Sequence, residues 1–214
     1  MKAWIRVIVL LLALVLLPFF VLGDRMDVLV GKWLTEYSGS RLAVLLVMLL
    51  VLDVILPIPS SLVASYACQR FGPGWGLLII STGISWAVLV GYLIGRTLGT
   101  AGTRRSLGEA TYQRALQFGS TRGAAMAIAL SRALPVLSEA MALLAGALRW
   151  PVWSCSLWGS LAGVGVGSIY ALLFWWWGDT AGFGAVLFGA ALVPALGLGL
   201  SAWLFKRSRL DLSA

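Results

Sequence analysis

Long stretches of this chain contain no charged side chain, and two of them, Gly76–Gly95 and Ser154–Trp177, are long enough to cross a lipid bilayer. A membrane-spanning helix needs about 20 mostly apolar residues. Charged residues make up 11% of the chain, whereas soluble domains carry about 25%, so a soluble fold would lack the polar surface to cover its core. The sequence therefore predicts an all-α integral membrane protein with several spanning helices, since a helix satisfies its own backbone hydrogen bonds in lipid.

Apolar segments near both termini predict two further membrane helices, one on each side of a central core at residues 42–180. Residues 1–41 are expected to form an N-terminal membrane helix and an external polar segment. Residues 181–214 are expected to form a C-terminal membrane helix and a cytoplasmic tail.

Two segments of the core are apolar but are interrupted before they reach spanning length. The first, at about 42–70, is broken by Pro57 and Pro59, and the second, at about 123–150, is broken by Pro135. Proline removes a backbone donor and clashes with the preceding turn, so it ends a helix. Each segment is predicted to be a re-entrant hairpin, because irregular backbone at membrane depth must be covered by protein or line a cavity.

The positions of Lys and Arg predict the orientation of the chain. The polar segment 96–122 is expected to form a surface helix. With both termini and this segment in the cytoplasm, that side carries eleven Lys and Arg residues and the far side carries four. Cytoplasmic segments are enriched in these residues, and the first hairpin then enters from outside and the second from inside. The same distribution, which also suits anionic lipid, accounts for the net charge of +8 without nucleic acid as a partner.

The two broken segments are related by an internal repeat with an offset of 78 residues. Nine of 37 aligned positions are identical, including Pro57 with Pro135 and the Pro-x-Trp motifs at 73–75 and 151–153. Because the hairpins enter from opposite sides, the pattern predicts an inverted-topology repeat. Inverted repeats with interrupted segments are typical of secondary transporters, whose substrate site lies near the membrane midplane.

Three charged residues, Asp53, Arg132 and Glu139, lie deep within apolar sequence beside these breaks. A charge at that depth costs about 2.5–3.5 kcal/mol on insertion scales, so such residues usually face a cavity or one another. One hypothesis is that Arg132 binds an anionic head group, since its planar guanidinium matches phosphate, while Asp53 and Glu139 exchange protons. The alternative is that the three residues only pair with one another and hold the hairpins together.

Ser60, Ser61 and Ser138 lie at the predicted hairpin tips. Their hydroxyls would either cap the broken helix ends or bind the head group. Helix N-termini exposed there would add partial positive charge for a phosphate.

Enzymatic or metal chemistry has no support in the sequence. The chain has no His, and its two cysteines, Cys68 and Cys155, lie in unrelated apolar contexts. Without a catalytic triad or a cluster of metal ligands, no enzyme, cofactor or metal site is predicted. Glycine-rich faces at Gly83–Gly95 and Gly159–Gly167 suit close helix packing, which would serve either folding or homo-oligomerisation.

Four motifs surround the breaks and cover about residues 45–180. They are Asp53-Val-Ile-Leu-Pro57-Ile-Pro59-Ser60-Ser61, Phe71-Gly72-x-Gly74-x-Gly76, Gly91-Tyr92-x-x-Gly95-Arg96-x-x-Gly99, and Ser131-Arg132-Ala-Leu-Pro135-Val-Leu-Ser138-Glu139 continuing through Ala145-Gly146. In these motifs the chain resembles the DedA family, also called the SNARE-associated or VTT-domain family.

The resemblance implies two oppositely oriented re-entrant hairpins and translocation of lipid. Bacterial members are linked to recycling of the undecaprenyl phosphate carrier and to envelope homeostasis driven by the proton-motive force, and eukaryotic relatives scramble phospholipids. By position, Asp53 matches the family's acid before the first proline, and Arg132 matches the first Arg of the second hairpin. Ser61 stands where many members have an acid and Ser138 where many have a second Arg, whereas Glu139 supplies an acid at the repeat-mate of Ser61.

The resemblance thus implies a flippase or scramblase that moves an anionic lipid, such as undecaprenyl phosphate or a phospholipid, across the bacterial inner membrane. Proton coupling through Asp53 and Glu139 is a further hypothesis. The residues themselves leave two other interpretations open. One is a carrier of a small ion or solute that uses the same hairpin site, and the other is a non-transporting assembly scaffold whose hairpins are purely structural.

Overall fold

The computed structural model describes residues 32, 36–56, 58, 60–132 and 137–177. Regular structure in these residues is all helical, which confirms the predicted all-α class for the described part. The elements are α1 (Gly39–Leu52), α2 (Ser60–Ile94), a π-helical turn (Gly95–Gly99), α3 (Thr100–Leu107), α4 (Glu109–Phe118), α5 (Arg122–Ser131), α6 (Leu137–Ala147) and α7 (Val152–Trp177). The predicted membrane helices at both termini, and the helix-breaking Pro57, Pro59 and Pro135, lie outside the described residues.

Two helical runs are long and apolar enough to cross a membrane. They are Val152–Trp176 in α7 and Ser60–Leu107, which contains α2. In the most apolar part of each run, 28% and 39% of the residues, respectively, are buried within the protein, so most of each helix faces outward. An apolar surface of this extent suits lipid better than water, and its exposed side chains include Trp75, Leu78, Trp86, Trp153, Leu172, Trp175 and Trp176.

Helix α2 is kinked at Gly72, which has a φ of 77° and stands directly before Pro73. Glycine adopts this backbone conformation without steric cost, and the proline cannot donate the next helical hydrogen bond. The kink divides α2 close to residue 70, where the first hairpin is predicted to end.

Three of the helices that flank the predicted breaks are too short to cross a membrane. Helix α1 has 14 residues, α5 has 10 and α6 has 11, whereas a span needs about 20. Helix α1 ends immediately before Asp53, and α5 ends immediately before Arg132. The helix breaks therefore fall where the proline pattern predicts them.

Helices α2 and α7 approach each other closely along a row of glycines in α7. A Cβ atom placed on Gly159 would lie 2.7 Å from a side-chain atom of Val88, and one on Gly167 would lie 2.9 Å from Leu77. The two contacts run in opposite directions along the two helices, which are therefore antiparallel. Small residues permit such close packing in membranes, and this row serves packing within the chain.

Helix α6 lies even closer to the C-terminal end of α2, with backbone against backbone. A Cβ atom on Gly146 would lie 1.9 Å from the carbonyl oxygen of Tyr92, and one on Gly95 would lie 2.0 Å from that of Leu143. Neither distance is compatible with a side chain, so the two glycines are required for this contact.

The polar segment 96–122, predicted to form one surface helix, consists instead of the π-helical turn, α3 and α4. Gly108 separates the two helices because its φ of 76° lies in a region that favours glycine. Across this break the Arg104 Nε donates to Glu109 Oε2 at 2.5 Å. Hydrogen bonds from Arg104 and Gln113 hold the pKa of the Glu109 carboxyl below its usual value.

Trp150 attaches this polar segment to the rest of the protein. Its indole N–H donates to the carbonyl oxygen of Ala115 in α4 at 2.9 Å, and its ring packs edge-on against Phe118 with centroids 5.8 Å apart. Its own carbonyl oxygen accepts a hydrogen bond of 2.7 Å from the hydroxyl of Tyr92 in α2. Helices α2 and α4 are thus both tied to the turn that follows α6.

Replacement of Tyr92 by phenylalanine is expected to lower the free energy of unfolding by about 1–3 kcal/mol, because the buried carbonyl of Trp150 would lose its donor. The Arg96 guanidinium, which donates to the Tyr92 oxygen at 3.2 Å, would lose a partner as well. Thermal unfolding of the detergent-solubilised protein measures the effect. Tyr37→Phe is the control, since Tyr37 is exposed, and an equal shift in both variants would contradict this role of Tyr92.

The turn after α6 holds Arg149 in a left-handed conformation with φ of 53°. The Trp150 N–H donates to Ala145 O at 3.0 Å, and the Arg149 N–H donates to Gly146 O at 2.9 Å. These bonds form a Schellman motif, in which the left-handed position is usually glycine. A side chain there costs about 1–2 kcal/mol, and Arg149 is the one non-glycine residue with positive φ in the described part.

Candidate functional site

Asp53 directly follows the last residue of α1. Its backbone N–H donates to Leu49 O at 3.0 Å, which closes the end of the helix. Its partly buried carboxylate interacts with the Ser60 side chain at the start of α2 and with the backbone of Ile58. Asp53 thus connects the two sides of the first break.

Arg132 occupies the corresponding place after α5. Its backbone N–H donates to Ala129 O at 3.3 Å, and its side chain is partly buried. The guanidinium interacts electrostatically with both Glu139 and Asp53. The ion pairs in direct contact among the described residues, Lys32–Glu36 and Arg104–Glu109, do not involve it, so Arg132 retains hydrogen-bond donors for another partner.

Glu139 lies in the first turn of α6 and is 8% exposed. Its Oε1 accepts a hydrogen bond from the Ser138 hydroxyl, while its Oε2 is buried without a hydrogen-bond partner in the described structure. An acidic side chain is favoured near a helix N-terminus by the helix dipole. An unsatisfied buried carboxylate oxygen is nevertheless costly, so the Oε2 of Glu139 is available to accept a hydrogen bond from a further group.

Asp53, Arg132 and Glu139 all interact with one another, although they come from two breaks far apart in the sequence. The three residues are named the charged cluster below. Two acids and one Arg carry a net charge of −1 when both acids are ionised, and neutrality requires one added proton. The arrangement can therefore hold a proton and can offer a guanidinium to an anion.

A small cavity adjoins the charged cluster. Its polar lining comes from Tyr92, Ser131, Arg132 and Ser138, and its volume is about 10 Å³. A cavity of roughly this size holds one water molecule. A lipid head group is much larger, so binding one at Arg132 requires the surrounding helices to move apart.

The three predicted serines do not have the same surroundings. Ser60 interacts with Asp53, and Ser138 donates to Glu139 rather than capping α6. Ser61 instead interacts with Tyr170 in α7, so it is associated with the packing of α2 on α7. Tyr92 and Tyr170 occupy equivalent positions in the internal repeat, and neither was predicted as a site residue. The signal that could have identified them is this equivalence, together with the position of Tyr92 in the Gly91–Gly99 motif.

Within the described residues, no group of three or more Cys, Asp and Glu side chains is placed to hold a metal ion. Cys68 and Cys155 are both buried free thiols and lie in separate apolar clusters. The charged cluster is therefore the strongest candidate for a functional site in the described structure.

Residues 57–176, more than half of the chain, match the family model of the VTT domain, the domain of DedA family proteins. Comparison with curated proteins and with solved structures gives no significant match. The matched region runs from the first break to the end of α7 and includes Arg132 and Glu139, while Asp53 lies just before it. The resemblance seen in the motifs is thereby confirmed, and the chain is a member of the VTT-domain (DedA) family of membrane proteins.

Proposed function

We propose that this protein moves an anionic lipid across a membrane, as a flippase or scramblase, and is not an enzyme. The observation that carries the proposal is the charged cluster, in which Asp53, Arg132 and Glu139 interact electrostatically between helices whose outer faces are apolar. Charged residues at membrane depth are costly and usually mark a transport pathway.

The proposed architecture is a pair of re-entrant hairpins in an inverted repeat. Its support is the matching order of elements, with a short apolar helix before each break, a charged residue at the break, and a second helix after it. After each second helix the chain turns at Gly72 or Arg149 and continues with a proline. In such folds the substrate site lies where the two repeats meet.

In this mechanism Arg132 binds the phosphate of the lipid, since a guanidinium presents two parallel donors to phosphate oxygens. Ser60 and Ser138 add hydroxyls beside the acids. The unpaired Oε2 of Glu139 is the proposed proton acceptor, and a proton taken up there would remove one of the two negative charges near Arg132. Binding of the anion and uptake of a proton would thereby be coupled.

The substrate class follows from the number of guanidinium groups. Arg132 would balance the single charge of a phosphodiester, as in common phospholipids, when both acids of the charged cluster are protonated, whereas undecaprenyl phosphate is a phosphomonoester with up to two charges. Both lipids are tested because the family resemblance implies either one.

The proposed location is the bacterial inner membrane, with both termini in the cytoplasm. Its support is that Arg96, Arg104, Arg105 and Arg149, all assigned to the cytoplasmic side by the charge distribution, border one pocket. Cytoplasmic segments carry this excess of positive charge.

A small-ion carrier is the second candidate. The observation in its favour is the 10 Å³ volume of the cavity beside Arg132, which matches a water-sized occupant. In this case the charged cluster would conduct a proton or small ion without the helices separating.

Purified protein in liposomes is expected to move a fluorescent phospholipid or an undecaprenyl phosphate probe between leaflets, with protein-free liposomes as the blank. A pH gradient should accelerate the movement, and Glu139→Gln should remove that acceleration because an amide cannot accept the proton. Glu109→Gln is the matched control, since Glu109 is exposed and lies outside the charged cluster.

Movement of only one probe would define the lipid class. Movement of neither lipid by folded protein, together with a pH change inside the liposomes, would support the small-ion carrier instead. If neither lipid nor protons cross the membrane, both transport proposals are wrong and the scaffold interpretation gains support.

A further inference from the structure

A second polar site lies away from the charged cluster, at the end of α2. It is an open pocket of about 560 Å³, bordered by the π-helical turn, α3 and the turn after α6. Four arginines from these three elements line it, and they are named the arginine pocket here: Arg96, Arg104, Arg105 and Arg149. Its volume is in the range of small-ligand sites.

The positive charge of this pocket is poorly compensated within the described residues. Arg104 pairs with Glu109, and Arg96 donates to the neutral hydroxyl of Tyr92. Arg105 and Arg149 have no ion-pair partner in the part of the chain that the structure describes. Three arginines without an acidic partner among the described residues lie around one cavity and repel one another, and an anion between them would relieve that repulsion.

The donors available to such an anion are guanidinium N–H groups. The hydroxyls of Thr97 and Thr100 also border the pocket, but they donate to backbone carbonyl oxygens of the preceding turn, including Leu93 O at 2.9 Å and Arg96 O at 2.7 Å. Guanidinium groups bind phosphate in a bidentate manner, and several of them together suit a doubly charged phosphate better than a carboxylate.

Arg149 contributes to the pocket in spite of an unfavourable backbone conformation. Its φ of 53° belongs to a position where glycine is the usual residue. Residues held in such conformations are concentrated at binding sites, where the side chain has a use that offsets the strain. The strain at Arg149 and the uncompensated charge are independent observations, and both point to a ligand.

The surroundings of the pocket indicate where the ligand comes from. Leu98, in the π-helical turn beside Thr97, is 80% exposed, and Leu93 one turn earlier is 48% exposed. The pocket therefore borders the apolar outer surface of α2, where the head groups of a bilayer would lie beside it. A soluble phosphate would reach the same guanidinium groups from water.

We infer that the arginine pocket binds a phosphomonoester dianion, supplied by the head group of an anionic lipid. This site is separate from the charged cluster and requires no lipid movement, so it extends beyond the proposed transport function. A lipid held there would be positioned at the edge of the bilayer, at the end of the same helix that contacts α6.

The test is a calorimetric titration of the full-length protein in detergent with dihexanoyl phosphatidic acid. Inorganic phosphate is the second probe. Saturable binding of phosphatidic acid is expected. Arg149→Gly and Arg105→Gln should each weaken it at least about tenfold, the scale of one charge-assisted hydrogen bond. Arg149→Gly should unfold at the same or a higher temperature than the wild type because it removes the strained side chain, so weaker binding cannot be attributed to misfolding.

A matched control makes the result specific. Arg114→Gln removes an equal charge from an exposed position of α4 outside the pocket and should bind as the wild type does. Displacement of the lipid by inorganic phosphate would show that the phosphate group suffices, and lack of displacement would show that the lipid is the required source.

Wild-type affinity in Arg149→Gly and Arg105→Gln would overturn the inference, as would absence of saturable binding. An equal loss in Arg114→Gln would show diffuse surface attraction instead of a site. None of these outcomes depends on transport, so failure here is distinct from failure of the proposed function.

Discussion

Arg132→Ala is expected to abolish lipid movement in liposomes while the protein remains folded. Arg132 is the one cation of the charged cluster, and it interacts with both Asp53 and Glu139. Without it the site has two acids and no group that attracts a phosphate. The rate should fall to that of protein-free liposomes, since no other arginine of the described residues lines the adjoining cavity.

The single substitution carries a risk to the fold, because it leaves two acids near each other without their cation. Removing one partner of a buried charge interaction typically costs about 3–5 kcal/mol. The double variant Arg132→Ala/Glu139→Gln removes one acid together with the cation and should recover most of the lost stability without recovering transport. Arg132→Lys keeps the charge but lacks the planar guanidinium, so it should be folded and strongly impaired.

Arg114→Ala is the matched control, since Arg114 is exposed in α4 and outside the site. Thermal unfolding and size-exclusion profiles would be recorded for each variant beside the transport rate. A scaffold role predicts that loss of function follows loss of stability. Transport by folded Arg132→Ala at the wild-type rate would eliminate the proposed head-group site.

Gly146→Ala is expected to give the largest loss of stability among single methyl additions in the described part. Its Cβ atom would lie 1.9 Å from the Tyr92 carbonyl oxygen and 2.8 Å from the Arg96 nitrogen. Both neighbours are backbone atoms, so no side-chain rotation relieves the overlap and α6 must move as a body. Overpacking costs about 1–3 kcal/mol or more, which exceeds the roughly 1 kcal/mol that alanine contributes through helix propensity.

Gly165→Ala is the control for this substitution. Gly165 lies within α7, and a Cβ atom there would meet nothing within 4 Å, so alanine should leave the stability unchanged or raise it. Gly95→Ala should behave like Gly146→Ala, and the double variant should be less destabilised than the sum of the two, because both substitutions disrupt one contact. Equal unfolding temperatures for Gly146→Ala and Gly165→Ala would contradict the close backbone contact.

The helix breaks and the spans were predictable because their causes are local. A run of apolar residues at Ser154–Trp177 predicts a span by length alone, and α7 covers nearly the same residues. The rare charges Asp53, Arg132 and Glu139 were predictable as a set because charge is costly in apolar sequence. The interaction of these three residues with one another depends on the packing of α1, α2, α5 and α6. Their shared position beside the breaks already favoured such an interaction.

Other features of the site depend on neighbours far away in the chain. Ser61 interacts with Tyr170 and not with the acids, and nothing in the local sequence distinguishes it from Ser60. The polar segment was expected to be a helix, but Gly108 divides it into α3 and α4. This division depends on a backbone conformation that a single glycine permits but does not require.

The amino-acid sequence by itself determined that this chain is helical, that it suits a membrane, where its apolar helices are interrupted, and which three charges stand at the interruptions. These properties depend on hydrophobicity, charge and proline, which act over a few residues. Only the tertiary structure decided that Gly95 and Gly146 hold two backbones in contact, and that four arginines from three elements surround one pocket. Those arrangements depend on which helix faces meet, and that is determined by packing over the whole chain.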